Sequence, residues 1–545
     1  MSDKYEEYSR EELLRLIRER DRKPNFGLVW ERKEIEHERS INNDFVMLNH
    51  DPLLSEGTGP HRNLVVEGDN FDALRYLRMT HAGKVKCIYI DPPYNTGNRD
   101  FIYNDRFIDK DDVYKHSKWL EFMYRRLVIA KDLLTDDGVI FCSIDDNEML
   151  HLGMLMDQIF GENNRIETLI WKKSYGGGSK AKYIVGLHEY VFCYANNINA
   201  IKKMDLPPAQ ESLNYYKFSD EKLLQRGPYR LQALATKSMD LRPNLRYPIN
   251  FNGEEIWPEK QWQWSEERTI SAIKNNELVI TKNKNGWSVN YKQYLKNSNG
   301  DERTSKLFSL LDGPYTQEGT AEISDILGDG KAFSFPKPSN LILSLIRFLH
   351  EDKNALILDF FAGSGTAAQA VMKLNAADGG SRRYILVSST EANSDDPNKN
   401  ICRDVCAERL RRVIKGYSNR KGELVNGLGG EFAYMRTLRI PISKVFSEIQ
   451  HDQIWRALQL IHDQPLENFD EKIALQITGD LDARVAYLPK LDRSSFERIE
   501  SIASDGGSIT VYSWQPAQLR QRIDKPNVSF EKIPEYLVKR FGGTA

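Results

Sequence analysis

Short apolar runs that alternate with longer helical patterns limit most strongly how this chain can fold. Before residue 200 these runs are Asn63–Glu67, Val85–Ile90, Val139–Ile144, Ile166–Trp171 and Tyr190–Tyr194. Nearly continuous apolar runs of this length are typical of strands that are buried on both faces of a sheet. Helices between such strands cover the two faces. The pattern therefore predicts an α/β fold built on a largely parallel sheet.

The alternation stops near residue 200 and returns after residue 332. The later block predicts a helix at Ser339–His350, a strand at Ala355–Asp359, a helix at Ala367–Leu374 and a strand at Tyr384–Ser388. Four tryptophans lie between the blocks among polar and turn residues, and we interpret three of them, Trp257, Trp262 and Trp264, as core residues. We expect the two blocks to form one sheet with an irregular β-rich module inserted between them.

The chain is too long, at 545 residues, for one compact core, so several domains are expected. The predicted domains are an N-terminal arm and linker at 1–60, a first α/β half at 61–200, an insert at 201–332, a second α/β half at 333–418 and a small α+β C-terminal domain at 419–545. The arm is predicted to contain a helix at 6–22 with Ser9 at its N-cap. The C-terminal domain is predicted to contain a helix near Asp452–His462 and strands at Val485–Leu488 and Ser508–Ser513.

Composition excludes several classes of protein. A formal net charge of −2 provides no general attraction to nucleic acid, so DNA binding would need local basic surfaces. No apolar run is long enough to span a membrane, and the N-terminal residues lack the apolar stretch of a secretory signal, which predicts a cytoplasmic protein. Five scattered cysteines indicate core residues rather than a disulfide framework or a zinc site.

The sequence Asp91-Pro92-Pro93-Tyr94 directly follows the predicted strand Val85–Ile90. Open α/β sheets bind their ligands at this carboxyl end of the strands. The two prolines stiffen the loop and remove two amide donors, so the Asp91 carboxylate and the Pro92 carbonyl can both accept hydrogens from one amine. Tyr94 adds a flat surface on which a base can stack. We interpret these four residues as catalytic.

A second motif, Asp359 to Thr366, connects a strand to a helix through a turn of small residues. Small residues allow the backbone to approach a ligand closely. The motif lacks the full Gly-x-Gly-x-x-Gly pattern and the lysine of a phosphate loop, which weakens a dinucleotide or ATP interpretation. Glu391 follows the next strand at a spacing suited to ribose hydroxyls. The candidate cofactor residues are Asp359, Phe361, Ala362, Gly363, Ser364, Gly365, Thr366 and Glu391.

Together the two motifs resemble the DNA amino-methyltransferases, whose signatures are Asp-Pro-Pro-Tyr and Phe-x-Gly-x-Gly. The catalytic motif comes first and the insert separates it from the glycine motif, an order that resembles the β-class enzymes. The lead-in Gly27-Leu28-Val29-Trp30-Glu31, the sequence Tyr94-Asn95-Thr96-Gly97 and the C-terminal region most resemble the modification subunit of type III restriction systems.

The resemblance adds further site residues. Phe335 and Lys337 in the sequence Phe-Pro-Lys-Pro look like the cofactor-side motif that precedes the glycine loop, and Asp69 is similar to the acidic position near the cofactor adenine. Residues 171–190 look like the hairpin beside the target base. We assign Asp146 to the N-cap of a helix that begins near Asn147. The candidate DNA-binding residues of the hairpin are Lys172, Lys173, Tyr175, Lys180 and Lys182.

The resemblance implies a Rossmann-like, S-adenosylmethionine-dependent methyltransferase sheet with circularly permuted motifs. It implies methyl transfer from S-adenosyl-L-methionine to adenine N6 of a flipped-out base in double-stranded DNA, without a metal ion. It further implies a homodimer and a separate helicase-nuclease restriction subunit. Two alternatives stay open: methylation of cytosine N4, and a non-catalytic DNA-binding or scaffold subunit.

Overall fold

The computed structural model describes residues 9–10, 30, 43–97, 102–103, 106–107, 114–176, 182–208, 210–238, 240–284, 286–392 and 396–542. Apart from residues 9 and 10, the helix predicted at 6–22 lies outside this range, as does Lys180. The chain divides into two compact units, one formed by residues 1–203 and 308–545 and the other by residues 204–307.

The secondary structure alternates strands and helices over most of the larger unit. The strands are β1 Phe45–His50, β2 Leu64–Glu67, β3 Val85–Ile90, β4 Ile102–Tyr103, β5 Arg106–Phe107, β6 Leu134–Ile144, β7 Arg165–Lys172, β8 His188–Ala195, β9 Tyr229–Ala233, β10 Ala235–Thr236, β11 Ile249–Phe251, β12 Glu254–Ile256, β13 Gln261–Trp262, β14 Leu278–Asn283, β15 Gly286–Tyr294, β16 Leu310–Asp312, β17 Leu356–Asp359, β18 Arg383–Ser388, β19 Gly416–Ser418, β20 Leu424–Asn426, β21 Ala433–Ile440, β22 Gln476–Thr478, β23 Arg484–Leu488, β24 Ile509–Ser513 and β25 Val528–Lys532. The α-helices are Asn70–His81, Lys115–Leu133, Met149–Phe160, Gln210–Leu213, Leu223–Arg226, Glu266–Lys274, Thr316–Leu327, Ser339–Ile346, Thr366–Asp378, Glu408–Lys415, Val445–Glu448, His451–Ile461, Arg493–Ser504, Pro516–Arg522 and Glu535–Phe541.

A ten-stranded sheet forms the centre of the larger unit, in the order β1-β21-β2-β18-β17-β3-β6-β8-β7-β16. The six strands from β21 to β6 are parallel to one another. Strands β2, β3 and β6 precede the 204–307 unit in the chain, whereas β17 and β18 follow it. The prediction that the two blocks form one sheet, and the α/β fold class, are therefore confirmed.

The core of the sheet consists of the predicted apolar runs. Leu358 of β17 pairs with Ile88 of β3, and both side chains are fully buried. All five cysteines are buried and unpaired, as the sequence predicted. Among the described helices, none combines the length and the apolar character that a membrane span requires.

The predicted capping role of Asp146 is wrong. The helix begins at Met149 with Glu148 at its N-cap and without a side-chain cap. Instead, the Asp146 carboxylate accepts a hydrogen bond of 2.9 Å from the Tyr190 hydroxyl on β8, because the helix begins two residues later than predicted. The turn before the helix is held by Asp145, which accepts from the Asn147 amide.

The 204–307 unit contains a three-stranded antiparallel sheet, β14-β15-β9, and two smaller ribbons. Its apolar core includes Trp262, whose indole donates to the Tyr247 carbonyl at 2.8 Å. Trp264 is partly buried and packs on Tyr291 with ring centroids 4.5 Å apart. Trp257 is 53% exposed, so its assignment to the core was wrong. Its side chain lies beside the charged edge strand β12, where its indole donates to Glu255.

The described region after residue 418 contributes to three sheets, one of which is the small β19-β20 ribbon. Strand β21 belongs to the central sheet, where it pairs with β2 on one side and with β1 on the other. Strands β22 to β25 form a separate four-stranded sheet whose last three strands are parallel. The strands predicted at Val485–Leu488 and Ser508–Ser513 are β23 and β24 of this sheet.

The helix Thr316–Leu327 lies against the segment that carries Lys337. A Cβ atom placed on Gly319 would be 2.1 Å from the Pro336 carbonyl oxygen and 3.0 Å from the Lys337 carbonyl carbon. These neighbours are backbone atoms, which cannot rotate away as a side chain can. Gly319 thus fixes the approach of the helix to the Pro336–Lys337 peptide.

We expect Gly319→Ala to lower the free energy of unfolding by about 1–3 kcal/mol, the usual cost of overpacking a core. Helix propensity alone predicts the opposite sign, since alanine favours a helix over glycine by about 1 kcal/mol. The matched control is Thr320→Ala, the exposed next residue of the same helix, which should be neutral or slightly stabilising. Chemical denaturation of the two variants distinguishes these effects, and a stabilised Gly319→Ala chain would show that no close approach exists.

Candidate active site

Four predicted site residues follow neighbouring parallel strands of the central sheet. Asp69 comes two residues after β2, Asp91 directly after β3, Asp359 ends β17, and Glu391 comes three residues after β18. Since these strands are parallel and adjacent in the order β2-β18-β17-β3, their carboxyl ends meet at one edge. The two sequence motifs, which are far apart in the chain, therefore face the same edge of the sheet.

The Asp91 carboxylate is held by two neighbours through the same oxygen. Its Oδ1 accepts from the Tyr94 hydroxyl at 2.8 Å and from Lys337 Nζ at 2.9 Å. Lys337 Nζ also donates to the Tyr94 hydroxyl oxygen at 2.8 Å and lies 3.2 Å from Glu189 Oε2. Lys173 Nζ donates to the other Glu189 oxygen at 2.9 Å. Two carboxylates, two ammonium groups and one phenol thus form a single network.

Burial and charge act in opposite directions on the pKa values of this network. Burial raises the pKa of Asp91 above its ordinary value, although Lys337 opposes the change. Burial alone would raise the pKa of Glu189, but Lys337 and Lys173 lower it overall. Burial alone would lower the pKa of Lys337, but Asp91 and Glu189 raise it overall. The pKa shift of Lys337 thus favours its charged form, and of the two carboxylates Asp91 is the one whose pKa is raised.

The loop after Asp91 is fixed from the helix Lys115–Leu133. The Trp119 indole, which is fully buried, donates to the Pro93 carbonyl at 2.7 Å. Asn95 adopts a left-handed conformation with φ 56° and is buried. In the described part of the chain, no hydrogen bond involves the Pro92 carbonyl or Asp91 Oδ2. Among the described residues, these two acceptors are thus without a hydrogen-bond donor, and their role toward an amine stays a prediction.

The glycine motif forms a tight turn between β17 and the helix Thr366–Asp378. Gly363 and Gly365 have φ values of 48° and 79°, in the left-handed region that favours glycine. The Ala362 amide donates to the Val387 carbonyl at 3.0 Å, which ties the turn to β18. Asp359 is buried and accepts from the Phe361 amide at 3.0 Å, and burial raises its pKa well above the ordinary value.

The side chains of Ser364 and Thr366 point into the protein. Arg409, which is fully buried, donates from Nη1 to both hydroxyl oxygens, at 2.9 Å and 2.8 Å. Arg409 Nη2 lies 3.4 Å from Glu322 Oε2. These two predicted cofactor residues therefore have a structural role through their side chains, and only their backbone atoms could face a ligand.

The remaining predicted cofactor residues lie in different surroundings. Asp69 is the N-cap of the helix Asn70–His81 and accepts from the Phe71 amide at 2.8 Å. Glu391 has φ 55° and forms an exposed ion pair of 2.8 Å with Lys399. Phe335 is 89% exposed with φ 56°. Lys337, two residues further on, lies against Asp91 in the network described above.

The hairpin residues that are predicted to bind DNA differ in their exposure and in whether they already form ion pairs within the protein. Lys172 pairs with Asp312 at 2.8 Å, and Lys173 belongs to the Glu189 network. Tyr175 is 71% exposed and stacks on Tyr315, with ring centroids 3.6 Å apart. Lys182 is exposed beside the exposed ring of Tyr183.

Glu189 is a site residue that the sequence-based set of candidates omitted. It lies on β8, where Glu189, Val191 and Cys193 alternate along the strand and are all buried. A carboxylate in such an apolar series needs a cationic partner. The position of a charged residue at the start of an apolar strand was the available signal, and it does not identify Lys337 as the partner.

Comparison with known proteins identifies the family to which the chain is similar. The family profile described as DNA methylase matches residues 85–391. The Mod subunit of the type III restriction-modification enzyme StyLTI from Salmonella typhimurium LT2 is 33% identical over 386 residues, which are 66% of this chain and 58% of that subunit. The type II methyltransferase M.KpnI from Klebsiella pneumoniae is 35% identical over 349 residues, which are 59% of this chain and 79% of that enzyme.

A solved structure of a putative DNA modification methylase from Thermus thermophilus with S-adenosyl-L-methionine is also similar, with a TM-score of 0.29 and 14% identity. The match covers 68% of this chain and 98% of that one. The family match spans both motifs, the sheet edge between them and the insert. The chain belongs to the DNA methylase family.

Proposed function

We propose that this chain transfers the methyl group of S-adenosyl-L-methionine to N6 of adenine in double-stranded DNA. The observation that carries the proposal is the Asp91 carboxylate, whose Oδ1 is held by Lys337 and Tyr94, at the same sheet edge as the glycine turn. The DNA methylase family match and the named methyltransferase and Mod relatives support it. The chain spans 58% of the StyLTI Mod subunit.

The residues at the sheet edge fit a nucleoside cofactor. Two left-handed glycines, Gly363 and Gly365, turn the backbone at the end of β17, and Asp69 lies at the end of β2 with its carboxylate 40% exposed. We assign Asp69, Asp359 and the backbone of 361–366 to holding the cofactor, with Phe335 and Glu391 at its periphery. S-adenosyl-L-methionine, when bound, supplies an electrophilic methyl group on its sulfonium sulfur.

Asp91 and the Pro92 carbonyl make the amine nucleophilic. The lone pair of an exocyclic amine is delocalised into the base, and two acceptors for its two hydrogens localise the pair on nitrogen. They also stabilise the positive charge that develops there, in the manner of an oxyanion hole with reversed sign. Methylation of the amine nitrogen would leave one proton in excess there, which Asp91 would accept and pass to water. The raised pKa of Asp91 suits this acceptance.

The target base has to leave the duplex to reach Asp91, at a cost of a few kcal/mol. Stacking on the Tyr94 ring would return about 1–3 kcal/mol. The hydroxyl of Tyr94 is fixed by Asp91, Glu189 and Lys337, so the ring is preorganised for this contact. Lys337 is a positioning residue in this scheme, since it acts through Asp91 and Tyr94.

We assign DNA contacts to the hairpin and to the 204–307 unit. Tyr175 and Lys182 are exposed, and Lys172 could exchange its ion pair with Asp312 for a phosphate. Lys180 lies outside the described residues. The similarity to Mod subunits supports the proposal that the chain is the modification subunit of a type III-like system. We further propose that it forms a homodimer, that a separate helicase-nuclease subunit carries out restriction, and that the protein acts in the cytoplasm.

We expect Asp91→Asn to reduce methyl transfer at least about 100-fold, the loss typical of removing one charge-stabilising group, while cofactor affinity changes little. The matched control is Asp146→Asn, an acid at the end of neighbouring β6 that accepts only from Tyr190 in the described residues. The assay uses labelled S-adenosyl-L-methionine and unmethylated bacterial DNA, followed by nucleoside analysis. N6-methyladenine supports the proposal, N4-methylcytosine changes the base, and full activity of Asp91→Asn removes Asp91 from the mechanism.

We expect the acid limb of the rate–pH profile to move to higher pH in Lys337→Gln. The rate requires ionised Asp91, so it falls as the pH drops through the pKa of this group; Lys337 lowers that pKa, and removing the lysine raises it. Lys173→Gln is the matched control, because Lys173 contacts Glu189 but not Asp91. Single-turnover rates across pH test this. A shift to lower pH, or equal shifts in both variants, would contradict the role given to Lys337.

A further inference from the structure

A cluster of two histidines and a glutamate lies behind the catalytic loop. His116 comes from the start of the helix Lys115–Leu133, Glu148 from the N-cap of the helix Met149–Phe160, and His151 from its first turn. The ligand atoms of the three side chains all lie within 4.8 Å of one another. Methyl transfer as proposed uses none of them.

The contacts inside the cluster converge on one carboxylate. Glu148 is fully buried, and its Oε1 accepts from His116 Nδ1 at 2.7 Å. Its Oε2 lies 2.8 Å from His151 Nδ1, yet both of these buried atoms lack a hydrogen bond of acceptable geometry. Buried polar atoms are nearly always paired, yet these two atoms, although they are as close as an ion pair, are not joined by a well-directed hydrogen bond. The two imidazole rings face each other with centroids 4.6 Å apart.

We propose that His116, Glu148 and His151 bind a divalent transition-metal ion of the zinc class. Imidazole nitrogens and a carboxylate oxygen are the ligands that Zn²⁺ takes in three-residue sites, with water in the fourth position. Mg²⁺ and Ca²⁺ fit poorly, because they prefer six or more oxygen ligands. The histidine side chains are 41% and 37% exposed, which leaves a path for the ion and room for the water.

The surroundings of the cluster resemble the outer shell of a metal site. Asn95 is buried and donates from Nδ2 to Glu148 Oε1, which orients the carboxylate. Such partners of metal ligands commonly set ligand orientation. Asn95 directly follows Tyr94, so an ion at this cluster would join the starts of two helices to the end of the catalytic loop. An ion held there would stabilise this part of the fold whether or not the proposed reaction occurs, so the inference does not rest on the proposed function.

Zinc titration of the full-length chain tests the site. After removal of metal with a chelator, the chain should bind one equivalent of Zn²⁺ saturably in calorimetry, and Zn²⁺ should raise its Tm. We expect Glu148→Gln and His151→Asn each to weaken binding at least about tenfold, the lower end of losses seen for changes in metal sites. His151→Asn is the safer variant, since Glu148 is buried and its replacement could impair folding.

The matched control is His350→Asn. His350 also lies beside a carboxylate, 3.8 Å from Glu351, but it is not part of the three-ligand group. Its replacement should leave the affinity and the stoichiometry for Zn²⁺ unchanged. Absence of saturable binding in the parent chain, or an affinity that is the same in folded His151→Asn, would overturn the proposal.

Discussion

The arrangement of the candidate active site depends on the contacts of the Lys337 ammonium group. This group lies between two carboxylates, Asp91 at 2.9 Å and Glu189 at 3.2 Å, in surroundings where the lysine is nine-tenths buried. Without it, the partly buried Asp91 and the buried Glu189 would face each other as like charges, and like charges at close range disfavour the ionised forms. The lysine therefore joins β3, β8 and the segment before the helix Ser339–Ile346 into one unit.

The permuted order of the motifs is compatible with this sheet because of where the chain leaves it and returns. The chain leaves after β8 and returns at β16, and only β7 lies between these two strands in the sheet. Neighbouring strands are about 4.8 Å apart, and the end of β8 and the start of β16 lie opposite residues of β7 that are five positions apart, Arg165 and Ile170. At about 3.3 Å per residue, these two points of the sheet are roughly 19 Å apart. Closing a long insertion over a short gap costs little more than closing a short one. The sheet can thus accommodate the 204–307 unit in the chain without interrupting its parallel core.

The sequence predicted the elements that depend on local pattern. Asp91 and Asp359 were placed at strand ends because apolar runs precede them, and the central strands occur where those runs lie. The pairing of Lys337 with Asp91 was not predictable, since it joins residues 246 positions apart and depends on how the helix Thr316–Leu327 packs. The predictions for Asp146 and Trp257 were wrong for a related reason. Local preference suggested a helix cap for Asp146 and a core position for Trp257, but tertiary contacts place both side chains elsewhere.

Strand β21 shows that the C-terminal region is part of the sheet that carries the site. Glu67 ends β2, and its carboxylate accepts from Arg436 Nε on β21 at 3.1 Å and from Asn400 Nδ2 at 2.9 Å. The Tyr434 hydroxyl, also on β21, donates to the same carboxylate. The Glu67 carboxylate is therefore already hydrogen-bonded within the protein. Asp69, two residues later, has a carboxylate with exposed surface. Because β21 pairs along the whole of β2, the strand that positions Asp69 is an interior strand only when the C-terminal region is in place.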